Sequence, residues 1–286
     1  MKYAKISVVT PSFNQGEFIE RTVRSVLYQR YPNLEYILMD GGSSDSTLQV
    51  LEGYRSKFTH FVSAPDGGQA DAIASGFERS TGEIMTYLNS DDVLAPGALR
   101  FVNEFFQKHR RIDFIYGHRA AIDEHDKVIW YWGLPRHVTY LMRRLDFIPQ
   151  ETCFWRRRLY EKAGNIDRSF TFAMDYDLFV RFMAIGRFRR VDRILAAFRV
   201  HDSSKTSTGL AAIGKAEFQK VWQKNKIPWR SADPMILQWF IELPAEYGRI
   251  YATSKRFVPG CFPGIGYDFN EAWGGLLRRK VSEVPD

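Results

Sequence analysis

Residues 83–92 read Glu-Ile-Met-Thr-Tyr-Leu-Asn-Ser-Asp-Asp, a short apolar run that stops at two adjacent carboxylates. Ile84, Met85, Tyr87 and Leu88 are the residues of a strand covered on both faces, as at the centre of a parallel sheet. Asn89, Ser90, Asp91 and Asp92 then form its carboxyl end. In open α/β sheets ligands sit beyond that end, so carboxylates there face a substrate rather than a core. Magnesium and manganese favour hard oxygen donors and complete their shells with water and phosphate oxygens. Two Asp after a strand therefore suit a divalent ion carrying a diphosphate. The competing reading is that Asp91 or Asp92 only caps the following helix, with Pro96 in its first turn.

The flanking sequence repeats the same unit. Ile6 to Thr10 is a strand ended by Pro11, PSFNQG is a turn-rich loop, and Glu17 to Gln29 carries Phe18, Ile19, Val23, Val26 and Leu27 on a helical stripe. Leu34 to Asp40 is a second strand, followed by DGGSSDST, where Asp45 or Ser46 caps a helix with Leu48, Leu51, Tyr54 and Phe58 inward. His60 to Ala64 is a third strand, followed by PDGGQADAIASGF and a helix carrying Ala70, Ile73 and Phe77. Beyond Asp92, Pro96 to His109 reads as a helix and Asp113 to Tyr116 as a strand. Strands alternating with amphipathic helices predict a parallel sheet with right-handed crossovers, its polar loops gathered on one rim.

Two glycine pairs lie at equivalent strand ends, each beside an Asp, and glycine lets backbone and ligand approach closely. Neither GxGxxG after the first strand nor GxxxxGK[ST] anywhere is present, so a dinucleotide fold and a P-loop are not indicated. AAIDEHDKVIWYWG reads as two antiparallel runs across a DEHD turn, with a Trp/Tyr cluster suited to core packing or to stacking on a sugar.

Composition bounds the partners. A net charge of +7 over 286 residues favours anionic ligands. No dense Lys/Arg arm or zinc-finger spacing accompanies it, so no nucleic-acid partner is expected. Cys153 and Cys261 stand far apart, which fits a reducing compartment rather than a disulfide framework. The N-terminus enters a strand within a few residues, leaving no room for a signal peptide, and no apolar run approaches the ~20 residues of a membrane span. A cytoplasmic protein is expected, with at most peripheral contact at the inner face of the cell membrane.

The loops PSFNQG, DGGSSDST, PDGGQADAIASGF and LNSDD, in that order, closely resemble the N-terminal half of inverting family-2 glycosyltransferases with a GT-A fold. PQETCFWRR, AGNID, MDYDLFVR and FRVHDSSKT are similar to the acceptor-side elements of those enzymes, so the resemblance runs over roughly residues 5 to 206. It implies an α/β fold of GT-A type, a mostly parallel central sheet flanked by helices with a small antiparallel element and a C-terminal helical extension. The implied division is a glycosyltransferase domain over 1–208, with a nucleotide-sugar half 1–117 and an acceptor half 118–208, and an extension over 209–286.

The resemblance also implies roles. Thr10, Pro11 and Phe13 match a loop contacting the base and ribose of a nucleotide sugar, and Asp40 matches an Asp after the second strand. Gly41 replaces the second Asp that often holds a uracil edge, which leaves the base open. Asp66 and Gln69 match contacts near the ribose and diphosphate. Asp91 and Asp92 match the DXD-type motif for Mn2+ or Mg2+, where the last Asp usually binds the ion, and His201 matches an additional metal or diphosphate contact. Asp175 aligns with the catalytic base of a Glu-Asp signature whose Glu is Met174 here, with Asp177 as fallback. Gln150, Glu151 and Trp155 fall on the acceptor side. The implied activity is inverting transfer of a sugar, UDP-linked by preference, to a saccharide or lipid-linked saccharide in cell-surface polysaccharide synthesis.

Past the resemblance, 203–209 reads as a polar loop able to close over donor, and Ala211 to Lys226 as a helix with Ile213, Phe218, Val221 and Trp222 inward. Trp239, Phe240, Tyr247 and Tyr251 are interleaved or followed by Arg249, Lys255, Arg256, Arg278, Arg279 and Lys280. That mixture suits an anionic membrane surface. Such tails more often pack on their own domain or on a second subunit, giving a homodimer. Two other functions fit the sequence less well. A nucleotidyltransferase needs Arg and Lys in the loop after the first strand, and PSFNQG has neither. An inactive carbohydrate-binding or scaffold relative has no need of Asp91, Asp92 and Asp175.

Overall fold

The computed structural model describes residues 2–134, 136–202, 213–228 and 267–278. Strand β1 (Ile6–Ser12) is buried along its whole length. It lies between β2 (Leu34–Asp40) and β4 (Ile84–Tyr87), parallel to both, and β3 (His60–Ser63) pairs parallel with β2. Burial on both faces explains the apolar runs. Val9, Ile37, Met39, Met85 and Tyr87 face one core, and Ile6, Val8, Tyr36, Leu38 and Ile84 face the other. Helix α3 (Gln69–Arg79) closes the first with Ala70, Ile73 and Phe77. Its Gly76 sits so near the sheet that a Cβ there would lie 2.4 Å from Val9 Cγ1. Helices α1 (Ile19–Leu27) and α4 (Ala98–Lys108) close the second.

Beyond β4 the sheet, nine-stranded among the described residues, becomes mixed. Strand β8 (Cys153–Arg156) is antiparallel to β4 and to β6 (Phe114–Ile122); β9 (Phe188–Arg199) is parallel to β6, and the two-residue β5 (Val93–Leu94) is antiparallel to β9. Strand β7 (Val128–Trp132) pairs with β6 across the 123–126 turn, as the DEHD stretch predicts. Strands β5, β8 and β9 have no counterpart in the periodicity, because each takes its place from partners remote in sequence. Trp155, expected on the acceptor side, is instead fully buried on β8. It packs against Phe114, Phe77 and Phe182, a position worth roughly 2–3 kcal/mol of apolar burial.

Some helices differ from the reading. Helix α2 is Thr47–Glu52, and the chain then makes a 3-10 turn at Arg55–Lys57, so Tyr54 and Phe58 pack from outside it. Neither Asp91 nor Asp92 caps α4, whose N-cap is Gly97 at φ +69°. After α5 (Thr139–Met142) and α6 (Arg157–Ala163) comes α7 (Met174–Ile185). Helix α8 is Lys215–Lys224, with Val221 buried and Phe218 and Trp222 against the core, whereas Ile213, expected inward, is 43% exposed.

The C-terminal segment 267–278 folds back onto its own domain. Phe269, Trp273 and Leu277 join Val93, Ile122 and Val128 in a third core, and Lys127 bridges Asp268. The loop 203–209 and the aromatic and basic residues from Trp239 to Arg256, with Arg279, Lys280 and Cys261, lie outside the described residues. Among the described residues no helix is long and apolar enough to cross a membrane.

Buried His118 on β6 accepts the Leu134 N–H at Nδ1 and meets Asp192 Oδ1 at 3.1 Å through Nε2. Burial pulls its pKa down to about 4 against the opposing pull of Asp192, with Arg190 adding to the drop. The unfolded chain then binds a proton near pH 6.5 that the folded ring refuses until about 4, so stability falls on acidification through that window. Urea denaturation at pH 7 and pH 5 should show a loss of about 2 kcal/mol from this group, absent in His118→Gln.

Candidate active site

The carboxyl ends of β1 to β4 form one rim because these strands are parallel and in register: Ser12 lies beside Asp40, and Asp40 beside Ser63. Asp40 is buried and acts as a staple. Its carboxylate accepts from Gly42 N, Ser43 N, Ser43 Oγ and Ser63 Oγ, fixing the loop rather than presenting an edge to a ligand. Thr10 is likewise buried, 3.2 Å from the Tyr36 hydroxyl, and Pro11 is buried beside it. Phe13 is different, with 61% of its surface open beside the rim. A Cβ at Gly41 would stand 3.1 Å from Asp66 Oδ2, so glycine there lets the second and third loops touch. Asp66 holds Gly68 N through Oδ1, and Gln69 Nε2 donates to Asn89 Oδ1 at 2.7 Å, tying the third loop to the Asn-Ser-Asp-Asp turn.

Asp91 and Asp92 are divided between two tasks. Asp91 Oδ2 lies 3.1 Å from His201 Nε2 while part of its carboxylate stays accessible. His201 is held by the Phe18 ring, 4.5 Å between centroids. Asp92, the expected direct ion ligand, is 1% exposed and accepts the Arg199 N–H through Oδ1 at 3.0 Å. Burial first, then the Asp91 and Glu151 charges, push its carboxyl well above the usual range. Asp92 thus splices the LNSDD turn to the end of β9, and Asp91, paired with buried His201, is the more accessible carboxylate of the two. Asp91 and His201 offer an oxygen and an imidazole nitrogen, which fits Mn2+ or Mg2+ if diphosphate oxygens and water complete the shell. Among the described residues no three His, Cys, Asp or Glu side chains make a ready cage.

Arg199 is the brace behind this pair. Its guanidinium donates to Asp91 O, Asp123 O and Asp126 Oδ1, and lies 5.1 Å from the Phe18 ring. Asp126, fully buried, also meets Arg21 and Arg278. Burial drives its carboxyl up, but the Arg199, Arg21 and Arg278 charges override it and hold it below the usual range.

Asp175 stands in the first turn of α7, half-buried, with Oδ1 accepting the Tyr176 N–H at 2.8 Å. The turn before it is held by Glu217 of α8, whose carboxylate accepts from Thr171, Phe172 and Ala173 N–H groups. The Asp175 charge is felt at Tyr87, the last residue of β4, and at Cys153 and Asp146. Asp177, the fallback base, is corrected by its surroundings: it is fully buried and gripped by Arg181, Lys224 and Asn225. It locks α7 to α8 and has no edge for a substrate.

Glu151, expected at the acceptor side, is buried and forms a two-point pair with Arg119 at 2.7 and 2.6 Å. Gln150 is buried too, donating to Tyr87 O, with its Oε1 unpaired. Burial lowers the Arg119 pKa, and the Glu151, Asp92 and Asp146 charges more than restore it. Arg119, Asp126, Arg199 and Glu217 carry no signal in the sequence, because each meets partners distant in the chain and no spacing marks them.

Residues 7–170 match the family model described as Glycosyl transferase family 2. The chain belongs to that family. An uncharacterized glycosyltransferase of Rickettsia typhi is 26% identical to this family-2 chain over 227 residues, spanning 76% of it and 70% of the relative. The chondroitin synthase of Escherichia coli is 25% identical over 198 residues, 66% of this chain but only 28% of that larger enzyme. Among solved structures, S. aureus TarS 1–349 in complex with UDP-GlcNAc superposes with a TM-score of 0.65 at 19% identity, covering 95% of this chain and 80% of that one. Mannosyltransferase PcManGT from Pyrobaculum calidifontis, in complex with GDP-Man and Mn2+, gives 0.59 at 15% identity, covering 89% and 71%. These likenesses establish the GT-A fold, and the family establishes a glycosyltransferase.

Proposed function

We propose that the family-2 chain transfers a sugar from a nucleoside diphosphate, UDP by preference, to a hydroxyl of a saccharide or lipid-linked saccharide, with inversion at the anomeric carbon. The observation that carries this reading is the division of labour among the acids. Asp91 and His201 follow the carboxyl ends of β4 and β9, where a diphosphate would rest, and the Asp175 charge reaches Tyr87, the last residue of β4. Asp91 and His201 would hold Mn2+ or Mg2+, which when bound neutralises charge on the departing diphosphate. Asp175 takes the proton of the attacking hydroxyl. Asp66 and Gln69, at the edge of the nucleotide loops, orient the donor, and exposed Phe13 offers a face to the base. TarS bound to UDP-GlcNAc supports a UDP-sugar, and the chondroitin synthase relative supports a saccharide acceptor in polysaccharide synthesis.

The test is a thermal-shift screen of nucleoside diphosphates and their sugars with and without manganese. UDP or a UDP-sugar should raise Tm only when the ion is present, and EDTA should abolish the rise. Asp91→Ala should lose the ion-dependent part while still folding. Stabilisation by no nucleotide, or equal stabilisation in Asp91→Ala, would overturn the assignment.

A further inference from the structure

A second recess lies at the opposite end of the sheet from Asp91 and His201, which follow the carboxyl ends of β4 and β9. Ile84, at the start of β4, pairs with Arg156, and Phe114, at the start of β6, pairs with Trp155 and with Phe188 at the start of β9. The turn after α4, the first turns of α6 and the turn between α7 and β9 therefore meet at the amino ends of these strands. Between them is a cavity of about 480 Å3, a volume usual for small-ligand sites. Five cations line it, Arg110, Arg111, Arg158, Lys162 and Arg187, against one carboxylate, Asp113. That carboxylate is already taken. Its Oδ1 accepts from two nitrogens of Arg158 at 2.9 and 2.6 Å, and its Oδ2 accepts the Arg187 main-chain N–H at 3.0 Å. Arg158 also donates to Arg110 O, fastening the turn after α4 to α6. Among the described residues the side chains of Arg110, Arg111, Lys162 and Arg187 make no ion pair, so four cations from three segments share one recess without an anion. The crowding is felt by adjoining Arg156, whose pKa is lowered by burial and by the Arg158 and Arg110 charges, against the pull of Asp113 and Glu83.

We infer that this cavity binds a phosphate-bearing anion, at a site separate from the one that holds the sugar donor. Charge excludes a cation, and an apolar ligand would strip water from four unpaired charges with nothing in return. Geometry favours phosphate over a lone carboxylate. A carboxylate has two oxygens and meets one guanidinium fork, whereas a phosphate or diphosphate has more oxygens and more charge and bonds donors from several segments at once. Asp113 holds the recess in shape before any ligand arrives, because its two oxygens fasten α6 and the α7–β9 turn to the start of β6. The site lies outside the proposed transfer chemistry, since β9 runs its full twelve residues from Phe188, beside Arg187, to Arg199. A soluble phosphate compound and a phospholipid headgroup both carry the required group, and the experiment tells them apart.

The full chain is titrated calorimetrically with inorganic pyrophosphate in EDTA, which removes ion-dependent binding beside Asp91. Salt is kept at about 0.1 M, where charges spread wider than the ~10 Å screening length act weakly. In parallel the chain is pelleted with phosphatidylcholine vesicles, with and without phosphatidylglycerol. Pyrophosphate should bind, which assigns a soluble ligand, or the anionic vesicles alone should pellet the chain, which assigns a headgroup. Arg111→Gln and Lys162→Gln should each weaken the binding seen on the order of tenfold, the scale of one charge-assisted contact. Both side chains are exposed and unpaired, so Tm should hold. Lys215→Gln, which removes the same charge from the start of α8, and Asp91→Ala should bind as the parent does. The Asp91→Ala arm separates this site from the donor site, so failure of either leaves the other standing. Binding of neither probe, binding undiminished in both Arg111→Gln and Lys162→Gln, or an equal loss in Lys215→Gln overturns the site.

Discussion

Replacing Asp175 by Asn should reduce turnover by about 100- to 10,000-fold, the usual worth of a positioned general base, while the nucleotide sugar still binds. The substitution is nearly isosteric, and an amide oxygen can still accept the Tyr176 N–H that Oδ1 accepts now, so α7 keeps its start. The loop before it is held independently by Glu217. What disappears is the capacity to take a proton from the acceptor. A fall in kcat with donor affinity held within twofold or so is therefore the expected pattern, read by steady-state kinetics beside calorimetric titration of the donor. Turnover near that of the parent would remove Asp175 from the reaction. Asp177 would not replace it, since Arg181, Lys224 and Asn225 already occupy that buried carboxylate. Asp177→Asn should instead lower Tm.

The second large effect is on stability, at a residue with no part in the chemistry. Asp126→Asn should destabilise the fold by roughly 3–5 kcal/mol, the cost of breaking a buried ion pair from one side. Asn tolerates the left-handed backbone that Asp126 adopts at φ +65°, so the loss is one of charge rather than conformation. Arg199, fully buried, would lose its carboxylate at 2.7 Å, and Arg21 and Arg278 would lose theirs. The Tm should fall by roughly 10 °C on the scale usual for a domain of this size. Arg199 also donates to Asp91 O and, from its main chain, to Asp92 Oδ1, so nucleotide affinity should weaken with it. Combining Asp126→Asn with Arg199→Met removes the orphaned charge and should recover part of the stability. A single variant as stable as the parent would show that the cluster contributes nothing net.

The pH dependence has a definite sign. The folded carboxyl of Asp126 is held below its unfolded value, so its stabilisation is complete above about pH 4 and is lost as pH falls through the lowered folded value. His118 acts over a higher window, between 6.5 and about 4, also losing stability on acidification. Acid unfolding of Asp126→Asn should lack the lower component and retain the upper one.

Local pattern was enough for the parallel half of the sheet. The runs at Ile6, Leu34 and Ile84 are apolar because each strand is covered on both faces, while the edge strand at His60 is half-buried, and each is followed at once by its loop and helix. The rim position of Asp91 and Asp92 followed from the same rule. Strands β8 and β9 were not legible, since their neighbours in the sheet are remote in sequence. The acids illustrate the limit. Asp91 and Asp92 look equivalent in the chain, yet one faces His201 and the other is buried on the Arg199 main chain. Asp175 and Asp177 look equivalent too, and the structure commits the second to Arg181 and Lys224. Trp155 and Trp130 sit in equally aromatic stretches, one enclosed in the core and the other 44% exposed.

The sequence by itself determined the family, the alternating architecture and which loops meet at one edge of the sheet, because periodicity and loop chemistry act between near neighbours. Only the tertiary structure decided which carboxylate of each pair stays partly exposed. That choice depends on whether an arginine, a lysine or a main-chain N–H from a distant segment has already taken it, and burial makes any such pairing too costly to exchange.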